Sequence, residues 1–232
     1  MQPASVGHLV TDGVRIFYRH AGEEDAPVLL LLHGFPSSSF MFRNLIPLLG
    51  KTYMVIAPAS RPTGIRLHRS AQGAQLPLET KSQDLYTLEW LQVAQYIPAR
   101  SPEPLAVPRV FWSHYNYGAP TGLRLALNRP ETVTAIITQN GNAYVEGFGP
   151  GGGVLGATQE VTGGNTSTAR HTRPLIEPET YHLNQALMDR PGNKEIQLGI
   201  FYDYRTNVDL YPDFQEFFRS SGVPGPSCVG EE

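Results

Sequence analysis

Apolar and polar positions along this chain switch between two periods, and the switches divide it into strands and helices. Around His8 to Val10 and Val14 to Tyr18 the residues alternate, with Thr11-Asp12-Gly13 between the two runs. Asp-Gly in that setting predicts a β-hairpin, so the chain opens on an antiparallel edge. Val28 to Leu32 is an unbroken apolar run ending at His33-Gly34. That pattern predicts a strand buried on both faces, as in a mainly parallel sheet. Ser37 to Ser39 then offer N-caps to a helix with Phe40, Phe42, Leu45, Ile46, Leu48 and Leu49 at helical spacing. Met54 to Ala57 predicts the next strand, stopped by Pro58.

The same alternation returns later, with Val110 to Trp112 as strand, Gly118 to Leu127 as helix and Val133 to Thr138 as strand. Strands alternating with helices predict a doubly wound α/β sheet. Pro178 to Met188, Lys194 to Tyr204 and Pro212 to Phe218 predict three short helices without strands between them, which suits a helical cap. Three windows break the pattern. From Ala59 to about Val107 the chain is rich in Pro, Gln, Ser and Arg, with one credible helix at Gln83 to Tyr96. Pro150 to Pro174 has no periodicity, and SGVPGPSCVGEE closes the chain without any. The expected organisation is a core over 1–149 with 59–116 out of pattern, a helical cap over 150–220, and an unstructured tail over 221–232.

Composition narrows the function classes. At 232 residues with a formal charge of −3, the chain is large enough for one sizeable core and carries no electrostatic footprint for nucleic acid or acidic lipid. The expected partner is a small molecule, with no nucleic acid and no membrane. Cys228 is the single cysteine, so no intrachain disulfide framework is possible. The seven histidines show neither His-x-His nor H-E-x-x-H spacing, and no metal or other cofactor is expected. The first twenty residues lack the basic start and apolar stretch of a signal peptide, and the expected location is cytoplasmic.

Two segments carry candidate chemistry. His33-Gly34-Phe35-Pro36 after a buried strand reads plainly as a glycine turn before a helix. Its chemical reading is a loop containing His33 that presents the backbone N–H of Phe35 to a developing oxyanion. In RVFWSHYNYGAPTGLRLALNRP, a short strand meets a turn and then an apolar helix, the layout of a nucleophile elbow. Asn116 stands at the apex, Tyr117 would give the second oxyanion N–H, and Gly118 is the small residue two positions on. His114 stands where the pattern has its first small residue.

HGFPSSSFMFRNLIPLL with MVIAP, YGAPTGLRLALNRPETVTAIITQNGNAYVEGF, and PETYHLNQALMDRPGNKEIQLGIFYDYRTNVDLYPDFQEFF together resemble the α/β-hydrolase superfamily. The resemblance is to the branch of epoxide hydrolases and haloalkane dehalogenases that use an aspartate nucleophile. It implies a mainly parallel sheet with flanking helices and a helical cap. It also implies an Asp that attacks carbon to form an ester, a His-activated water that hydrolyses the ester, and an acid that orients the His. Asn116 stands where that Asp is expected, and a neutral amide has no anionic oxygen with which to attack. Residues 219–232 contain no histidine, and the last two strands are expected to be missing. The second place such relatives use for the acid reads Asn140-Gly141-Asn142, with Glu146 the nearest acid, in a loop where a solvated role is the plainer one.

No other residue takes over. Ser113 and His114 are neighbours on a strand and point to opposite faces. His182 falls in the cap, where a surface position is the plainer reading. Tyr202 and Tyr204 resemble cap tyrosines that donate to an epoxide oxygen, though a core or surface aromatic is the plainer reading for either. Dehalogenases of this branch have Asn after His-Gly and Trp after the nucleophile, where this chain has Phe35 and Tyr117, so the expected substrate class is epoxides. The abrupt loss and return of family-like text is what a shifted reading frame or a retained intron produces. The sequence therefore leaves three readings: an epoxide hydrolase-like or dehalogenase-like scaffold inactive as written, a binding protein that keeps the pocket, and a truncated product without function.

Overall fold

A computed structural model describes residues 4–11, 14–35, 37–59, 109–114, 118–139, 141–148, 177–193, 197, 204–224 and 227–229. Seven strands form one sheet: β1 (Ser5–Thr11), β2 (Val14–Ala21), β3 (Val28–Leu32), β4 (Met54–Pro58), β5 (Arg109–His114), β6 (Val133–Gln139) and β7 (Ser227–Val229). Their order is β1-β2-β4-β3-β5-β6-β7. The hairpin forms as expected, with Thr11 opposite Val14 and Ser5 opposite His20. Strand β2 then runs antiparallel to β4, and every later pair is parallel.

Strand β3 shows why its apolar run is unbroken. Val28, Leu30 and Leu32 enter one core cluster with Met54 and Ile56, while Leu29 and Leu31 enter a second with Val55 and Ala57. Successive side chains point to opposite faces, so a strand covered on both sides needs an apolar residue at every position. The first face is covered by α2 (Gly118–Asn128) through Leu123, Leu125 and Ala126, and the second by Phe42 and Ile46.

Three expectations change. The helix predicted from Ser37–Ser39 to Leu49 divides into a 3-10 turn, Ser39–Phe42, and a short helix α1, Ile46–Leu49. Pro47 has no N–H to continue a preceding helix and is tolerated only in a first turn, where the structure has it. The tail expected to be unstructured over 221–232 contains β7, whose Cys228 pairs with Thr138 of β6. Three residues are too few to show a period, and their hydrogen-bonding partners lie about ninety positions away.

The third change concerns the cap. Helix α3 (Pro178–Met188) has the predicted bounds and exposes most of its surface. Beyond it, α4 (Arg205–Asp209) and α5 (Tyr211–Ser220) follow, and Tyr211, Phe214 and Phe217 of α5 belong to the same core cluster as α2. The end of the span assigned to the cap thus flanks the sheet and precedes β7. An amphipathic pattern shows that a helix buries one face, not which surface it covers. The helix expected at Gln83 to Tyr96 and most of that at Lys194 to Tyr204 lie outside the described residues. Among the described residues no helix is long and apolar enough to cross a membrane.

Candidate active site

The loop after β3 is held from within. His33 is 1% exposed, and its Nδ1 lies 3.0 Å from the carbonyl of Gly34. A carbonyl only accepts, so Nδ1 carries the proton. Burial pushes the His33 imidazole down to about 4, against a smaller opposing effect from the Gly34 bond, and the ring is neutral near pH 7. Ser37 Oγ donates to the same Gly34 oxygen at 2.8 Å. In a trans peptide the following N–H points opposite to the carbonyl, so two donors on Gly34 orient the N–H of Phe35. Phe35 itself packs partly buried against the first core cluster.

Gly118 brings the second motif to this loop. A Cβ on it would lie 2.6 Å from the Leu32 oxygen and 3.0 Å from the His33 oxygen. The first residue of α2 therefore rests on the backbone where β3 ends, an approach only glycine permits. The end of β6 joins them. A Cβ on Gly141 would lie 2.2 Å from Thr138 Oγ1 and 2.6 Å from Ala119 Cβ. Residues 32–35, 118–119, and Thr138 with Gly141 thus meet at the carboxyl edge of the parallel strands, the edge where sheets of this kind carry their sites.

Of the sequence-derived candidates, His33, Phe35 and Gly118 are brought together, while Asn116, Tyr117 and Tyr202 lie outside the described residues. Asn142 Oδ1 accepts the N–H of Tyr144 at 3.0 Å, which commits that side chain to its own loop. Glu146 and His182 are exposed. Tyr204 is 5% exposed within the first core cluster, which also holds Tyr211 of α5. Burial raises both phenols above the usual tyrosine range.

Two polar features escape sequence reading. Ser37 looks like one of three interchangeable caps, but Ser38 is the one that caps, through Phe40 N–H at 3.3 Å, while Ser37 holds Gly34. Arg124 looks like a solvated charge in α2, yet it is 7% exposed. Its Nε donates to Asn207 Oδ1 at 3.0 Å and its Nη2 to Thr206 Oγ1 at 2.8 Å, tying α2 to α4. No sequence signal separates these residues from their neighbours.

Known proteins resemble this chain in sequence and fold. No family model matches the chain. The uncharacterized hydrolase YNR064C of Saccharomyces cerevisiae is 35% identical over 242 aligned positions, spanning 93% of this chain and 76% of that protein. Epoxide hydrolase A of Mycobacterium tuberculosis is 29% identical over 54% of this chain and 35% of its own length. A haloalkane dehalogenase variant from Bradyrhizobium elkanii superposes with a TM-score of 0.69 at 16% identity, covering 97% of this chain and 79% of the other. A chain that matches a hydrolase at 35% identity along nearly all its length, and folds on this sheet, belongs to the α/β-hydrolase superfamily.

Proposed function

We propose that this chain carries the scaffold of an epoxide hydrolase-type enzyme for small apolar epoxides, and that as written it performs no turnover. The observation behind this reading is Gly118 seated on the Leu32 and His33 carbonyls beside the doubly anchored Gly34–Phe35 peptide. This approach supports the reading, because acyl- and alkyl-transfer chemistry needs an oxyanion loop close to an elbow. Two residues before Gly118 the sequence has Asn116. In the reaction a carboxylate oxygen attacks an epoxide carbon, the ring C–O bond breaks, and the freed oxygen takes a proton to leave a hydroxyalkyl ester. Water activated by a base then cleaves that ester. An amide fails at the first step because its nitrogen lone pair is delocalised into the carbonyl. Phe35 and Tyr117 in place of the Asn and Trp of dehalogenases favour epoxides over haloalkanes.

The test is covalent labelling with a simple terminal epoxide, read by intact mass, with diol formation followed in parallel. The unmodified chain should give neither adduct nor diol. Asn116→Asp should gain an adduct of one epoxide mass, because an aspartate there supplies the attacking oxygen that the amide lacks. Diol formation by the unmodified chain overturns the proposal, and absence of an adduct on Asn116→Asp removes residue 116 from the nucleophile position.

A further inference from the structure

Helix α3 is attached differently at its two ends. At the C-terminal end Leu187 is buried, Asn193 Nδ2 donates to the carbonyls of Leu187 and Met188 at 3.2 Å each, and Gly192 makes the left-handed turn that returns Asn193 to them. Side-chain capping of the last carbonyls locks that end. At the N-terminal end Pro178 and Glu179 are exposed, and the long-range polar contact is made by Glu177. Arg43, which follows the 3-10 turn after the oxyanion loop, donates through Nε to Glu177 Oε2 at 2.8 Å and pairs with the same oxygen through Nη2.

Arg43 is prepared for this contact. Its guanidinium lies 4.6 Å from the Phe40 ring centroid, with Nη1 3.3 Å from the Phe40 carbonyl. Arg19 of β2 lies 5.3 Å from the same ring, so two cations flank one aromatic. Their mutual repulsion, added to burial, lowers the Arg19 pKa. Glu177 brings an acid to this paired positive charge, and withdrawing it leaves two guanidiniums facing each other.

We propose that the Arg43–Glu177 pair is a strap that fastens the N-terminal end of α3 to the turn behind the oxyanion loop, with the Leu187–Asn193 knot as its hinge. Opening the strap frees one end of α3 without unfolding the sheet. This inference stands on the geometry of α3 and does not require the proposed chemistry.

Hydrogen exchange of the 177–183 peptide tests it, with the 211–220 peptide of α5 as internal reference. Arg43→Gln is the deciding variant, because Arg43 is not on α3 and its polar contact with that end, among the described residues, is with Glu177. Arg43→Gln and Glu177→Gln should each speed exchange over 177–183 by about two- to fivefold, the range for an exposed ion pair, and leave 211–220 unchanged. The double variant should be no faster than either single one. Salt near 1 M, where the Debye length is about 3 Å, should reproduce the effect in the unmodified chain. Additive effects of the two substitutions, or an Arg43→Gln chain whose α3 exchanges as before, overturn the proposal.

Discussion

All five residues of β3 are buried, whereas in the eleven residues of α3 only Leu187 is. Strand β3 leads into the loop that carries Phe35 and α3 meets Arg43 beyond the following 3-10 turn, yet they are held by different interactions. Strand β3 is fixed by apolar area on both faces and by backbone pairing to β4 and β5. A side-chain cap and an ion pair hold α3. Burial acts whatever the salt concentration and is lost only with the fold. Exposed charge pairs are individually weak and separable from the rest. The loop after β3 therefore continues from a rigid strand, whereas α3 meets Arg43 through an attachment that can be released.

Substitutions on the sheet side should give the largest effects. Phe214, fully buried on α5 in the core cluster shared with α2, should lose about 3–5 kcal/mol as Phe214→Ala, read by urea unfolding. A loss below about 1 kcal/mol would show that α5 does not belong to the core layer. His33 offers a smaller effect with a pH signature. Its folded-state pKa lies near 4 against an ordinary value of 6.5, so between those values the unfolded chain holds a proton that the folded chain does not. Stability from this source is complete above about pH 6.5 and declines as pH falls towards 4, by about 3 kcal/mol in all. Unfolding midpoints of the unmodified chain and His33→Gln, compared at pH 7.5 and pH 4.5, should converge at the lower pH, and parallel curves would refute a neutral buried ring.

Gly118→Ala tests the contact between the motifs. The added methyl meets backbone oxygens that cannot turn aside, at a cost of about 1–3 kcal/mol. A neutral Gly118→Ala would mean that α2 does not rest on the end of β3. Glu177→Gln should be the mildest, within about 1 kcal/mol in global unfolding, because half of that carboxylate is already in water. A larger global loss would erase the contrast between the two sides.

Much of the scaffold was legible in the residues because it is local. The unbroken run Val28–Leu32, the Asp-Gly between alternating runs, and the bounds Pro178–Met188 each depend on neighbours within a turn or two. The candidate site was legible only in part. His33, Phe35 and Gly118 could be picked out because glycines and short loops are punctuation in a sequence. Ser37 could not be told from Ser38 and Ser39, since a hydroxyl reveals its acceptor only when the loop closes. Asn116 belongs to the first kind: its chemistry follows from the side chain alone, wherever the turn places it.

The sequence by itself determined the alternation of strands and helices and the membership that this alternation, with its two motifs, implies. Periodicity is a property of successive residues, and it survives without knowledge of what an element will touch. Only the tertiary structure decided that α5 covers the sheet, that Ser227–Val229 pairs with β6, that the His33 ring is neutral, and that Arg43 meets Glu177. Each of these depends on burial, or on groups brought together from far along the chain, 134 positions for the ion pair. Such contacts have no period, and the free energy that selects them exists only once the layers have closed.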